Sequence, residues 1–392
     1  MNEGVMDPSF DGRPSRRLKV LFTVNIASPY RVDFFNELGR FCDLTVLFER
    51  KIATDRDVAW RADNARTFKA VHLSGLRTAS DKALCPGVVK YLLDPSFDVI
   101  VIGGYGTPSG MLSVGFLRLL GRPYVLNIDG GFPKQDAPII GRLKRVLIGG
   151  ASFYLSPSLG ASDYLMHYGV PSSAIHQYPF ASVSERNLAK RPPNAEEKQR
   201  LRDRLGIEER LCVLAVGQYI HRKGFDLLIR AAGRLGNEVG VYIVGGSPTE
   251  FYLNLSDRTS ATNVKFVDFR DSRSLQAYYQ AADVLAMPTR YDVWGLVVGE
   301  AMAQALPVVS SNRCGAALEM ITNGANGLII PSESVELLAE ALDRTIGSSL
   351  ETRQAMAESA LATARRFTIE RMASEHLVLF HRIVQNRSKC WS

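Results

Sequence analysis

The feature that most constrains this sequence is the regular alternation of short apolar segments with longer amphipathic ones, from about Leu18 to about Phe367. Short apolar runs bounded by turn residues are typical of buried strands, and apolar residues that recur every three or four positions are typical of helices. Strands that alternate with helices form βαβ units, in which the strands are parallel. The sequence therefore predicts an α/β fold built on parallel sheets.

One polar segment, at residues 184–209, interrupts the alternation. It is rich in charged side chains and contains Pro192-Pro193. A chain of 392 residues is too long for one ordinary domain and long enough for two. We therefore expect two doubly wound domains, residues 18–183 and 210–367, joined by a linker with a surface helix. Because ligands bind such sheets outside the carboxyl ends of the strands, two facing domains create a deep cleft.

The two ends of the chain lie outside the alternating region. Residues 1–17 lack the apolar core of a signal peptide, and we expect them to be a disordered lead-in. Residues 368–392 continue into a last amphipathic helix, which we expect to pack back towards the first domain. The sequence contains no apolar run close to the ~20 residues needed to span a membrane.

Composition argues against several classes of protein. Hydrophobic residues make up 46% of the sequence and charged residues 22%, as in soluble globular proteins. The five cysteines are scattered and stand outside any metal-ligand spacing, so we expect reduced thiols in a cytoplasmic protein and no metal site. The net charge of +7 is spread over both halves without a basic, aromatic-rich block, which argues against a nucleic-acid partner.

A loop in the second half of the chain concentrates positive charge. An apolar strand ends at Gly217, and the loop then carries Arg222, Lys223 and Gly224 before an amphipathic helix begins. A helix N-terminus attracts anions, Arg can bind two phosphate oxygens at once, and Lys adds a point charge. The segment therefore favours an anion such as a diphosphate. The alternative is a solvated turn with two ordinary surface cations.

A second loop follows the apolar strand DVLAMPT and opens a helix that is apolar on most faces. Asp292 lies in this loop, and Glu300 lies about one turn inside the helix. The helix opens with Gly295, Leu296 and Val297. A carboxylate in a buried helix is costly unless it is hydrogen-bonded, and ribose hydroxyls are suitable donors to Glu300. The free amides of the first turn could face a phosphate. The alternative is a loop Asp, with a Glu that caps neighbouring backbone.

Together, the two loops resemble the donor site of retaining glycosyltransferases of family 4. That family carries Gly-x4-Arg-Lys-Gly and, later, Glu-x7-Glu followed by a Gly-x-Pro-Val-Val strand. The first motif is matched by Gly217, Arg222, Lys223 and Gly224. Glu300, in EAMAQALPVV, matches the second glutamate, whereas Asp292 stands in place of the first. The resemblance is one of architecture from about residue 18 to residue 382, and it is motif-specific in residues 214–330.

The resemblance implies the GT-B fold, in which two Rossmann-like domains face a deep cleft. It also implies that the donor is a nucleotide sugar, a UDP- or GDP-sugar, and that no further cofactor or metal is required. Arg222 and Lys223 would then hold the donor diphosphate and stabilise it as it leaves, since positioned cations lower the energy of developing negative charge. Glu300 would bind the ribose, and the Gly295–Val297 amides would orient phosphate and sugar.

For the sugar and the base, the resemblance implies less. Asp292 would contact the transferred sugar, but Asp is one methylene shorter than Glu, so the identity and orientation of the sugar stay open. Phe269 and Arg270, which follow the strand VKFVD, lie where the family commonly frames the base. The family's mechanism is front-face attack with retention of configuration and without a covalent enzyme intermediate.

The first domain is expected to hold the acceptor. The segment ASPYRVDFFNEL, after the first strand, resembles the loop-to-helix junction of the family without its usual glycine pair. Asp129, in NIDGG, lies at the end of a strand and faces the expected cleft. It is our candidate for acceptor contact or proton handling, and a turn or capping role is the alternative.

Two further patterns each have two interpretations. Asp55-Arg56-Asp57 has a spacing that can chelate a divalent ion, although a solvated loop is the favoured interpretation because charge runs usually face water. GRLKRVLI, at residues 141–148, is a basic amphipathic segment of the kind that can lie on anionic lipid. An ordinary core-facing helix is favoured there. On the membrane interpretation, the acceptor is lipid-linked and the protein is peripheral at the cytoplasmic face of the inner membrane.

The leading functional hypothesis is a glycosyltransferase that extends a polysaccharide, lipopolysaccharide or glycolipid precursor. One alternative is a sugar-nucleotide epimerase, which can share the architecture, and another is a non-catalytic nucleotide-binding protein. A third is a dinucleotide-dependent oxidoreductase, suggested by GGYGTPSG after an apolar strand. That segment only approximates GxGxxG, and the one acidic residue at a strand end about 20 residues later is Asp129.

Overall fold

The computed structural model of the chain describes residues 16–50, 64–79, 82–133, 135–236, 238–259 and 261–389. Most of the expected lead-in and the Asp55-Arg56-Asp57 motif lie outside the described residues.

The first half of the chain forms a seven-stranded parallel sheet. Its strands are β1 (Lys19–Ile26), β2 (Asp43–Arg50), β3 (Lys69–His72), β6 (Val99–Ile102), β7 (Val125–Asn127), β8 (Phe153–Ser156) and β9 (Ile175–Gln177), in the order β3-β2-β1-β6-β7-β8-β9. The short strands β4 (Leu76–Arg77) and β5 (Ala83–Leu84) pair separately. The helices of this half are α1 (Pro29–Leu38), α2 (Val89–Leu92), α3 (Pro108–Leu119), α4 (Pro138–Ile148) and α5 (Leu159–His167).

The second half forms a six-stranded parallel sheet. Its strands are β10 (Leu211–Val216), β11 (Val239–Val244), β12 (Val264–Val267), β13 (Val284–Met287), β14 (Val308–Ser311) and β15 (Gly327–Ile330), in the order β12-β11-β10-β13-β14-β15. Helix α6 (Ala195–Leu205) precedes this sheet. The later helices are α7 (Phe225–Ala232), α8 (Glu250–Arg258), α9 (Ser272–Ala281), α10 (Leu296–Ala303), α11 (Gly315–Met320), α12 (Val335–Ile346), α13 (Leu350–Ala364) and α14 (Ile369–Lys389).

Both faces of the first sheet are covered. Successive side chains of a strand point to opposite faces, and in β1 Val20 and Phe22 enter one apolar cluster while Leu21 enters another. A parallel sheet needs this double cover because its strands are apolar on both sides. Two doubly wound parallel sheets in one chain confirm the predicted fold class.

The expectation that residues 141–148 form an ordinary core-facing helix is wrong. These residues lie in α4, and within α4 only Gly141 and Ile148 are buried. Ile148 belongs to the core of the first domain and Leu147 packs against it, but Leu143 and Val146 are 51% and 56% exposed. Its apolar stripe therefore faces outward and into an open pocket.

The last helix, α14, packs against α1 of the first domain. His376 of α14 is fully buried there, against Phe34 and Tyr178. Its Nδ1 lies 2.8 Å from the carbonyl oxygen of Met372, so Nδ1 carries the proton and donates it. Its Nε2 has no partner among the described residues. Burial lowers the pKa of His376 to about 3, and the ring is neutral in the folded chain.

We expect His376 to make the free energy of unfolding depend on pH. Below the ordinary histidine pKa of about 6.5, the unfolded chain binds a proton that the folded chain excludes. His376 therefore does not change the free energy of unfolding above about pH 6.5. Below that pH the free energy of unfolding falls by about 1.4 kcal/mol per pH unit as the pH drops towards 3. The free energies of unfolding measured with urea at pH 7 and at pH 5 should differ less in His376→Leu than in the wild type. The exposed His381→Gln is the control, and an unchanged difference in His376→Leu would contradict this account.

Candidate active site

Loops that follow strands of the two sheets meet across a cleft. Gly130 follows β7 in the first sheet, and a Cβ added there would lie 2.8 Å from a side-chain carbon of Val293, which follows β13 in the second. Phe132 and Tyr291 make an edge-to-face ring contact between the same two loops, with ring centres 5.5 Å apart. The carboxyl ends of both sheets therefore border one site, as predicted for facing doubly wound domains.

The two cations of the RKG segment lie in a tight turn between β10 and α7. His221–Lys223 form one turn of 3-10 helix, and Gly224 closes it with a left-handed φ of 70°. A side chain at Gly224 would also collide with the carbonyl of Pro288, 2.1 Å from the position of its Cβ. The turn therefore holds Arg222 and Lys223 beside the N-terminus of α7, where the helix dipole adds positive potential. Gly217, at the end of β10, lies against the stem of Lys223.

Asp292 binds both cations through a single carboxylate oxygen. Its Oδ2 lies 2.6 Å from Lys223 Nζ and 3.1 Å from Arg222 Nη1. The Lys223 and Asp292 side chains are 13% and 14% exposed, so this pair is screened less by solvent than a surface pair would be. The resemblance implied that Asp292 contacts the transferred sugar, whereas in the structure its carboxylate pairs with the two cations. It offsets one of the two positive charges of the turn.

The helix α10 opens at Gly295 and carries Glu300 in its second turn. Gly295 has a φ of 94°, and a Cβ there would lie 2.5 Å from the sulfur of Cys314, so glycine is required. Leu296 and Val297 form the first turn and are partly buried. Their amides belong to the unpaired amides that every helix start presents.

Glu300 satisfies its carboxylate with two protein hydroxyls. Ser182 donates to Oε1 at 3.2 Å, and Tyr279 donates to Oε2 at 3.0 Å. Burial raises the pKa of Glu300, while the two hydroxyl hydrogen bonds favour its charged form. Ser182 comes from the segment that leads out of the first sheet, so Glu300 lies where both halves of the chain meet. Both partners of Glu300 are side-chain hydroxyls, whereas the alternative from the sequence was a Glu that caps neighbouring backbone.

Asp129, in the first domain, is held by a buried guanidinium. Arg31 Nη2 donates to Asp129 Oδ2 at 2.6 Å, and Arg31 Nε donates to the Tyr30 hydroxyl at 3.2 Å. Arg31 lies in the first turn of α1, close to the carboxyl end of β1. Sequence reasoning missed Arg31. The only signal was a cation within the otherwise apolar face of ASPYRVDFF.

The remaining predicted residues lie further along the same sheet edge. Phe269 and Arg270 follow β12, the edge strand of the second sheet, and Phe269 is exposed while Arg270 is half-buried. Arg270 donates to the carbonyl of Phe269 at 3.2 Å. A framing role for the base stays a prediction.

Residues 197–363 match the family model of group 1 glycosyl transferases. A protein of Mycolicibacterium smegmatis named GDP-mannose-dependent alpha-(1-6)-phosphatidylinositol monomannoside mannosyltransferase is 33% identical over 187 residues, which cover 44% of this chain and 47% of that protein. The D-inositol 3-phosphate glycosyltransferase of Corynebacterium glutamicum is 30% identical over 209 residues, which cover 50% of each chain. The chain thus spans about half the length of the curated relatives it matches.

The fold extends the likeness to almost the whole chain. The solved structure of Anabaena HepE in complex with UDP superimposes with a TM-score of 0.72 at 18% identity, over 95% of this chain and 100% of that chain. The sequence match in the second domain and the two-domain fold together confirm the resemblance to GT-B glycosyltransferases.

We expect Asp292→Asn to raise the affinity for inorganic pyrophosphate by roughly three- to tenfold. The substitution removes the carboxylate that competes with phosphate for Lys223 and Arg222, and one ion pair of this kind is worth about 1 kcal/mol. Isothermal titration calorimetry measures the change. Asp257→Asn, which removes an exposed carboxylate from α8, controls for net charge. Equal or weaker pyrophosphate binding by Asp292→Asn would show that Asp292 does not compete with phosphate.

Proposed function

We propose that the protein is a retaining glycosyltransferase of the family 4 type, which transfers a sugar from a UDP- or GDP-sugar to a glycan or glycolipid acceptor. The observation that carries this proposal is the position of Arg222 and Lys223. Both lie at the carboxyl end of a strand, beside a helix N-terminus, and share one exchangeable counter-ion, Asp292. Such a site suits a diphosphate.

The same cations account for the chemistry. When the bond between the sugar C1 and the diphosphate oxygen breaks, positive charge develops on the sugar and negative charge on the leaving diphosphate. Arg222, Lys223 and the dipole of α7 are already oriented towards that negative charge, so they stabilise the transition state without reorganising. The amides of Leu296 and Val297 add donors for phosphate or sugar oxygens.

The other site residues provide binding and orientation. Glu300 already accepts from two hydroxyls, which is the hydrogen bonding that a ribose offers. Asp129 faces the cleft from the first domain, and Arg31 holds its carboxylate in one orientation. We assign Asp129 to contact with the acceptor hydroxyl. Asp292 is released from the cations when the diphosphate binds, and it is then free to accept from a sugar hydroxyl.

The names of the relatives support the proposed classes of donor and of acceptor. The mycobacterial relative is named for GDP-mannose as donor and for a phosphatidylinositol monomannoside as acceptor, and the Anabaena structure contains UDP. A UDP- or GDP-sugar donor and a glycolipid or lipid-linked acceptor fit these names. Biosynthesis of a polysaccharide, lipopolysaccharide or glycolipid in the cytoplasm is the proposed setting.

We test the function by titrating the protein with UDP-sugars, GDP-sugars and NAD, and by following nucleotide release with a glycolipid extract as acceptor. We expect a sugar nucleotide to bind and turn over. Lys223→Ala should weaken binding or turnover at least tenfold, because it removes a largely buried ammonium that we place against the phosphate. Lys265→Ala, at an exposed lysine of β12, is the matched control. Binding of NAD alone would overturn the proposal, and sugar-nucleotide binding without turnover would favour the non-catalytic alternative.

We further propose that α4 makes a peripheral contact with an anionic membrane. Ile139 and Val146 lie about two helical turns apart on its outer surface and are 81% and 56% exposed. The exposed Arg142 and Arg145 lie beside them. Apolar side chains flanked by cations are typical of helices that lie in a membrane interface. Within the described residues, helices long and apolar enough to cross a membrane are absent.

Flotation with lipid vesicles tests this contact. We expect binding to vesicles that contain phosphatidylglycerol, weaker binding in high salt, and loss of most binding in Arg142→Glu/Arg145→Glu, since exposed charges are screened by ions. Arg200→Glu/Arg204→Glu makes the same charge change on the exposed face of α6. Equal flotation of both double variants would argue against a role of α4.

A further inference from the structure

A pocket of about 430 Å³ lies in the second domain, at the carboxyl ends of β13, β14 and β15. It is lined by the three loops that follow these strands, and its volume suits one unit of a small-molecule ligand. Parallel α/β sheets bind their ligands at this edge. The residues proposed above for the donor follow β10, β12 and β13, so the donor leaves the loops after β14 and β15 without a role.

An ion cluster around Arg290 forms one side of the pocket. The two terminal nitrogens of Arg290 donate to the two carboxylate oxygens of Asp226 at 2.6 and 2.7 Å, and its Nε lies 2.7 Å from Glu333 Oε1. Arg290 and Asp226 are largely buried, whereas Glu333 is exposed and keeps its carboxylate accessible. Glu333 also has a left-handed φ of 69°, which is costly for a glutamate and is a kind of strain often found at binding sites.

The loop after β14 adds hydrogen-bond donors that the protein does not use. Arg313 lines the pocket and is exposed, and its guanidinium has no partner in the part of the chain that the structure describes. Its backbone is fixed, because its carbonyl accepts from the amide of Asp292 at 2.8 Å. Asn312 Oδ1 accepts from the amide of Ser332 at 3.2 Å, which orients the side chain and leaves its Nδ2 group for a ligand.

The charges of these groups balance, which favours an uncharged ligand. Arg290 and Arg313 are matched by Asp226 and Glu333, so an ion of either sign would meet a like charge in or beside the pocket. A hydroxyl group both donates and accepts. Neighbouring hydroxyls of one ligand can therefore bind the donors of Arg313 and Asn312 and the acceptor of Glu333 together, as the hydroxyls of a sugar ring do.

Tyr291 connects this pocket to the cleft between the domains. Its exposed ring lines the pocket and contacts Phe132 of the first domain. Its carbonyl accepts from Arg222 Nη1 at 2.9 Å, so the pocket borders the turn that carries the two cations. The face of an aromatic ring is negative and attracts the polarised C–H groups of a sugar. A glycan that extends from the cleft past Tyr291 therefore reaches the pocket.

We infer that this pocket binds one uncharged sugar unit of the acceptor, next to the unit that receives the transferred sugar. The inference rests on the proposed function and adds that the acceptor carries a glycan of at least two units. The hydroxyls of the bound unit contact Arg313, Asn312 and Glu333, and its C–H groups lie on Tyr291. The second domain then selects the acceptor in addition to binding the donor.

The inference is tested by saturation-transfer NMR titrations with the methyl glycosides of glucose, galactose, mannose and N-acetylglucosamine at millimolar concentrations. We expect at least one of them to bind the wild-type protein. Arg313→Ala should weaken that binding at least fivefold, because it removes the unpaired donor of the pocket. Arg344→Ala makes the same charge change at an exposed position of α12 outside the pocket and should bind like the wild type.

Glu333→Gly separates a loss of binding from a loss of folding. Glycine adopts a left-handed backbone without the steric cost that a glutamate has there, so we expect this variant to unfold at a temperature close to that of the wild type. It lacks the carboxylate acceptor of the pocket and should bind the glycoside at least fivefold more weakly. Thermal unfolding and the same NMR titration measure the two effects.

Addition of UDP- and GDP-sugars shows which site the glycoside occupies. A glycoside in the proposed pocket stays bound, whereas displacement by a sugar nucleotide would place it in the donor site and overturn the inference. Failure of all four glycosides to bind, or unchanged binding in both Arg313→Ala and Glu333→Gly, would overturn it as well. A wild-type protein that binds sugar nucleotides but none of the glycosides would lose only this inference, whereas a failure to bind sugar nucleotides would remove the proposed function.

Discussion

The arrangement of the second domain's site depends on the ion cluster of Lys223, Arg222 and Asp292. Two adjacent cations beside a helix N-terminus repel each other and the dipole, and one carboxylate oxygen within 3.1 Å of both relieves that repulsion. Backbone contacts hold the three in place. The amide of Arg290 and the hydroxyl of Thr289 both donate to the carbonyl of Arg222 at 2.8 Å, which ties the turn after β10 to the loop after β13. Backbone hydrogen bonds therefore fix the positions of the residues that form the ion cluster.

The same loop brings the first half of the chain to the cations. Trp294 packs edge-to-face on Phe180, with ring centres 5.3 Å apart, and Glu300 accepts from Ser182. These contacts join the end of the first domain to α10, and Gly130 packs on Val293 across the cleft. Because the loop after β13 carries both Asp292 and the interdomain contacts, the ion cluster and the contact between the two domains are physically linked. Asp129, on the first domain, shares this cleft with the cations.

The sequence predicted the strands that lie inside the sheets, because strands buried on both faces are short runs of apolar residues. It missed β3 and β9, the two edge strands of the first sheet, whose residues are at most half-buried and carry Lys69, His72 and His176. The turn around Arg222 and Lys223 was predictable because its residues are local in sequence. The Arg31–Asp129 pair spans 98 residues and the Ser182–Glu300 contact spans 118, and neither leaves a local pattern. The apolar periodicity of α4 was predicted correctly, but the side chains of its apolar face line an open pocket instead of packing only on the core.

We propose that Arg222 and Lys223 form a diphosphate site in which Asp292 is the anion that phosphate displaces. A crystal structure with UDP or GDP bound tests it most directly. We expect phosphate oxygens within hydrogen-bond distance of Lys223 Nζ and Arg222, a ribose at Glu300, and Asp292 displaced from the 2.6 Å contact with Lys223. A nucleotide bound at the loop after β6, with the Lys223–Asp292 pair intact, would contradict the account.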